Sequence, residues 1–441
     1  MRREALWEYL KGALWALPTV AVVVALAAGS VLSSINLTDE GPMGKLLFQG
    51  TPDDARNLLI GIASTMVTVI ALVLGLTVVA LQLASTQFSP RLLRNFLRDR
   101  VNQVTLSIFV ATFAYSTAGL YTVGVSAGQR TDDFPRMAVT GALVLLFASL
   151  LMLVYFVHHL VHSIQVDEVM QHVQESTLHV IRASMASGDG RLDRRPVRPM
   201  GALAVTATRS GYVQTFHFDS LLKVLATRDL VAEVVPMMGE HVIQGAPLLW
   251  VWTARHQEGA SVRAEDVAGL RQAARESIRL GRERTMEQDA AFGVRQLADI
   301  GSKALSPAIN DPYTAVQAVD HLAVILAELG PRRLGSLRIA DGSGSVRLHV
   351  RGRDFDYYLD LALGQVRRYG SQEPRVVAAL LRTLAQVGGF CTDPAVRAVL
   401  AHQAALVLAD AERAVTQPAD FAPLREHAHL VLAELQPVAG G

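Results

Sequence analysis

Between Arg284 and Ala315 the sequence reads RTMEQDAAFGVRQLADIGSKALSPAINDPYTA, and Asp289, Asn310 and Asp311 are its polar side chains best suited to hold something. Carboxylate and amide oxygens can coordinate a hard cation, accept the donors of a ligand or meet a neighbouring subunit. The same residues also have a purely local task. Asp311 before Pro312 is an N-cap followed by a proline at the first helical position, with extended geometry imposed on the residue before proline. Capping alone explains much of SPAINDP, so the structural and the ligand readings both stay open here.

Two other sets of residues could do chemistry. VHHLVHS spaces His158 and His162 by four, which puts them on one helix face as a potential metal pair. No third ligand is set by the sequence, since Glu168 and His172 lie too far along the same helix axis, and anchoring at a membrane interface is the competing reading. The third set is the hydroxyls of an apolar stretch, Thr105, Thr112 and Ser116, whose spacing lets them share one helix face. They read either as interhelical packing groups or as the wall of a neutral polar route.

The elements that must position these residues follow from composition. Of 441 residues 51% are hydrophobic and only 18% charged, with the apolar residues concentrated in the first third. That pattern predicts a membrane half and a soluble half. Four segments are long and apolar enough to cross a bilayer: about 14–32, 58–83, 104–125 and 137–159, within a transmembrane domain over 1–165. None has Asp, Glu, Lys or Arg near its middle, which disfavours a proton-driven pump. Arg2, Arg3 and Lys11 precede the first span, and Arg91, Arg94, Arg98 and Arg100 fill the connection between the second and third. The loops around Asp53 and Asp132 carry the acids. By the positive-inside rule both termini are cytoplasmic. Arg91, Arg94 and Arg98 also form one stripe of a short amphipathic helix at the inner face, suited to anionic lipid or to the mouth of a pore.

Beyond the spans a helix over Val166–Met185 is expected to continue outward as a stalk, with a Gly- and Pro-rich linker ending near 200. Residues 201–255 read as a small barrel-like or sandwich β module around a short helix at Ser220–Ala226. Residues 256–441 read as mainly helical, interrupted by a hairpin near 337–351 whose DGSG supplies the turn. The two β regions can join one sheet, so the soluble half is α+β. The helix before SPAINDP is expected to bury Met286, Ala290, Val294, Leu297 and Ile300. Lone Cys391 excludes an internal disulfide, and a formal charge of +1 gives no field for nucleic acid. No cofactor is expected.

Three blocks, LQLASTQFSPRLLRNFLRDRVNQ, HHLVHSIQVDEV and RTMEQDAAFGVRQLADIGSKALSPAINDPYTAVQAVDHL, resemble those of the DUF2254 family of predicted bacterial membrane proteins. The resemblance implies the inner membrane and carries no activity. No nucleophile elbow, P-loop, HExxH or dinucleotide fingerprint is present, so an enzyme is disfavoured. The leading expectation is a homo-oligomeric channel or passive transporter, gated by a cytoplasmic domain that meets a small ion or ligand. The alternative is a membrane-anchored sensor or scaffold.

Overall fold

The computed structural model describes residues 15–33, 47–87, 99–123, 135–163, 165–185, 198–254 and 264–436. The chain divides into two units, Met1–Glu168 and Val169–Gly441.

Among the described residues the first unit contains four apolar helices. They are α1 (Ala16–Ser33), α2 (Pro52–Gln87), α3 (Arg100–Thr122) and α4 (Arg136–Ser163). Three of them, α2, α3 and α4, are long and apolar enough to cross a membrane, whereas the described part of α1 is shorter. Of the four expected spans, three have spanning candidates among the described residues, and the first corresponds to a shorter apolar helix. The helices overrun the expected limits by several residues at some ends, because polar residues such as Asp53, Asp54 and Arg100 extend a helix without adding to its apolar run. Arg91, Arg94 and Arg98, the loop at Asp132 and the linker after Met185 lie outside the described residues.

The centre of this unit is α3, which packs against each of the other three helices. Its Phe109 is fully buried, as are Leu59 and Met66 of α2 and Phe156 of α4. Asp99 caps α3, its carboxylate accepting from Val101 N at 2.9 Å. Such caps matter more where no water can satisfy the first N–H groups.

A separate helix, α5 (Val166–Ser184), follows α4. The sequence reading expected a stalk continuing out of the last span; α5 is amphipathic and most of it belongs to the second unit. Its stripe of Met170, Val173, Thr177, Val180 and Ile181 is buried, since an apolar face of this size is unstable in water without a partner.

The second unit continues with β1 (Leu203–Thr206), β2 (Gly211–Phe216), α6 (Asp219–Thr227), β3 (Leu230–Val234), β4 (His241–Val242) and β5 (Pro247–Thr253). Next come α7 (Ala264–Ser277), β6 (Ile278–Gly281), α8 (Ala290–Ala304), α9 (Pro312–Leu329), β7 (Leu337–Ala340) and β8 (Val346–Val350). The strands form a five-stranded sheet in the order β1-β5-β3-β8-β7 and a three-stranded sheet in the order β4-β2-β6. Both contribute to one core, with Val213, Leu249, Val251, Ile278 and Leu348 packed beside Leu221, Leu225 and Leu270 of α6 and α7.

The 201–255 module is therefore not closed on itself. The hairpin β7-β8 joins it through a parallel pairing of β3 with β8, and β6 completes the smaller sheet. The chain ends in helices α10 (Phe355–Leu359) and α11 (Gln365–Gly370), joined by a π turn over Asp360–Gly364, and then α12 (Pro374–Phe390), α13 (Pro394–Ala414) and α14 (Pro418–Leu435).

Candidate functional site

In the second unit the chemistry gathers at the start of α8. Asp289 occupies the N-cap position, yet its side chain makes no capping bond. Its Oδ2 accepts from Arg284 Nε at 2.5 Å and its Oδ1 from Arg353 Nη1 at 3.1 Å. The Asp289 side chain is 1% exposed, that of Arg353 8% and that of Arg284 22%.

Aromatic rings hold the two guanidiniums in place. Arg284 lies 5.3 Å from the Phe292 ring centre and Arg353 5.0 Å from that of Tyr357. The turn before β4 closes over the cluster at Gly239, whose φ of +76° is left-handed. A Cβ there would fall 1.9 Å from Asp289 Oδ2, so glycine is required by both conformation and space. Burial pushes the Tyr358 phenol upward, and Asp289 adds to that shift, so the ring stays neutral. Burial opposes the Arg284 charge, but the hydrogen bond and attraction of Asp289 hold its pKa above the ordinary value.

Asp289 was read as facing a cation, a ligand or another subunit. The structure corrects the first of these: two arginines already occupy the carboxylate, which leaves no negative field for a cation. The helix also starts six residues later than RTMEQ suggested, at Ala290 rather than Arg284, and the residues before it form the loop that brings Arg284 back onto Asp289. The expected stripe holds from Ala290 onward, with Ala290, Val294, Leu297 and Ile300 buried.

At the corner Asp311 behaves as the sequence predicts. Its carboxylate accepts from Thr314 N at 3.1 Å and Thr314 Oγ1 at 2.6 Å, with Pro312 opening α9. Asn310 is exposed and left-handed at φ +50°, its N–H donating to Ser306 O at 2.9 Å. Asp311 N donates to Ala304 O at 2.8 Å. SPAINDP is thus a joint between α8 and α9, closed by its own backbone. The structure separates Asp289, at one end of α8, from Asn310 and Asp311, beyond the other.

In the first unit Thr105, Thr112 and Ser116 do share one face of α3, and all three are fully buried. They lie inside the packing of a single chain rather than on an outer face that copies could bring together. Thr112 Oγ1 donates to Ile108 O at 2.8 Å and lies 2.9 Å from Ser149 Oγ of α4. Thr105 Oγ1, Ser116 Oγ and Gln103 Nε2 have no partner among the described residues. In α2, by contrast, Thr65 and Thr77 donate to carbonyls of their own helix.

His158 and His162 are exposed, and their rings lie 4.2 Å apart. Yet His162 Nδ1 is taken up by the carbonyl of His158 at 2.9 Å, and no group of three metal-ligating side chains occurs among the described residues. His159, between them, is the member of this set that reaches a side chain of another helix: it binds the Asp99 carboxylate and stacks near Tyr155. That pair ties the start of α3 to the end of α4. The sequence singled out none of Arg284, Arg353, Tyr358 or Asp99, and although VHHLVHS contains His159, an i, i+4 search passes over its pairing because the partner is 60 positions away.

A family model described as a predicted membrane protein (DUF2254) matches residues 11–386. An uncharacterized protein of Mycobacterium tuberculosis is 42% identical over 427 residues, covering 96% of this chain and 80% of its own length. A counterpart in Mycobacterium bovis, likewise uncharacterized, shows the same identity and coverage. No solved structure matches the chain.

Proposed function

Because the chain belongs to the DUF2254 family of predicted membrane proteins, we propose that it is a channel or passive transporter whose polar route follows the inner face of α3. One observation carries the reading. Thr105 and Ser116 are fully buried hydroxyls without partners among the described residues, on the same face as Thr112. An unsatisfied buried hydroxyl costs about 1 to 3 kcal/mol, and in an apolar helix bundle water or a permeating polar species would offset that cost. The route is shut at its middle by the Thr112–Ser149 contact.

The absence of charge along this face favours a small neutral or weakly selected solute over a proton-coupled mechanism. Arg91, Arg94 and Arg98 would give the inner mouth a positive field. Both termini are cytoplasmic in this reading, the membrane is the bacterial inner membrane, several copies assemble, and the second unit regulates passage without catalysing a reaction.

Reconstitution tests this. Thr105→Val and Ser116→Ala should lower flux through proteoliposomes while leaving thermal stability equal or higher, since each removes an unsatisfied group. Unchanged flux in both variants, or bilayers silent under voltage, tension and a broad solute panel, would overturn the channel. The second reading, a membrane-anchored sensor or scaffold, would then stand. It is favoured by the docking of α5 in the second unit, where Thr177 approaches Gly293 of α8.

A further inference from the structure

The loop between β6 and α8 brings together an arrangement that a purely structural ion pair does not require. A buried guanidinium, that of Arg353, and a half-buried one, that of Arg284, share one buried carboxylate. Arg353 places a single N–H on a protein acceptor, and Arg284 places only its Nε; Arg284 Nη2 is buried with no partner among the described residues. The next hydroxyl along the loop, Thr285 Oγ1, is buried and without a partner in the same sense. The charged or ionisable groups acting on Arg284 are Asp289, Tyr357 and Tyr358, and burial pushes the Tyr358 phenol upward.

Such a cluster holds one positive charge more than it neutralises, in a place where an uncompensated charge is costly. Its geometry is preset as well. Phe292 and Tyr357 lie beside the guanidiniums, Asp289 holds one N–H of each, and the Gly239 backbone packs against Asp289 and Arg284 where any side chain would collide. Arg284 remains about one-fifth exposed and Tyr357 40% exposed, which leaves an approach from solvent.

We infer that Arg284 and Arg353, held by Asp289, form a binding site for a phosphate group. Planar guanidinium forks with unfilled donors match the oxygens of an oxyanion. The site inverts the sequence expectation at this position, where Asp289 suggested a cation. It stands apart from the channel reading, because binding is measured without transport.

The test uses the full-length protein in detergent. Inorganic phosphate is titrated at constant ionic strength while thermal unfolding is followed, and a saturating rise in Tm is expected. Arg284→Gln and Arg284→Lys should each weaken the apparent affinity by about tenfold or more, since a charge-assisted hydrogen bond is lost. Lysine keeps the charge beside Asp289 but not the fork, so it preserves folding if glutamine does not. A saturating response to inorganic phosphate identifies a soluble ligand. A response only to dispersed short-chain phosphatidic acid identifies a lipid headgroup. No response to either, or equal responses from wild type and the lysine variant, overturns the site.

Discussion

Asp311 and Asn310 stand side by side at the corner and do different work. Asp311→Ala removes a side-chain cap and should cost about 0.5 to 2 kcal/mol in chemical denaturation. The hydrogen bonds from Thr314 hold the Asp311 carboxyl below its ordinary pKa. A carboxyl lowered on folding stabilises fully above its unfolded value, near pH 4, and loses that contribution as the pH falls through the folded value. The stability gap between wild type and Asp311→Ala should therefore shrink on acidification below about pH 4. For Asn310 the left-handed backbone decides. Asn310→Gly should be neutral within a few tenths of a kcal/mol, whereas Asn310→Ala should cost about 1 kcal/mol; the reverse order would mean that the amide itself binds something. Cys391 is 2% exposed, and burial pushes its thiol up to about 11. It should resist iodoacetamide at neutral pH in the folded protein and react once the protein is unfolded.

Among elements, the contact between α5 and α8 rests on a single missing side chain. A Cβ on Gly293 would lie 1.9 Å from Thr177 Oγ1, so Gly293→Val should displace α5 and lower Tm by several degrees. Were α5 a free stalk, that substitution would leave Tm unchanged. Apolar periodicity made most helices legible, from the spans to α8 and α9, and the cap at Asp311 was written in its Asp-Pro pair. The hairpin β7-β8 was legible from DGSG. Strand β6 was not: ESIRLGR follows a helix directly, and its four residues become a strand only by pairing with β2, more than sixty positions earlier. The start of α8 was misplaced for a related reason. Thr285 to Gln288 have ordinary helix formers among them, and tertiary partners hold them as loop: Arg284 binds Asp289, and Gln288 bonds to the Phe216 backbone of β2.

At the scale of the molecule, the orientation of the spans is the property most directly open to test. Since Cys391 is buried and is the sole cysteine, single cysteines can be introduced against a quiet background. A cysteine at Asp53 should react with an impermeant maleimide in intact cells and one at Gly188 should not; the opposite pattern would reverse the topology. The sequence by itself determined a membrane half followed by an α+β half, the family and the capped corner, because each follows from local composition, hydrophobic period or a contiguous motif. Only the tertiary structure decided which polar groups meet. Arg353 reaches Asp289 across 64 positions, Ser149 reaches Thr112 across 37 and His159 reaches Asp99 across 60. The physical reason is that a charge or hydroxyl is neutralised by whatever the fold places within about 3 Å, and that distance is set by packing between elements, which no spacing along the chain encodes.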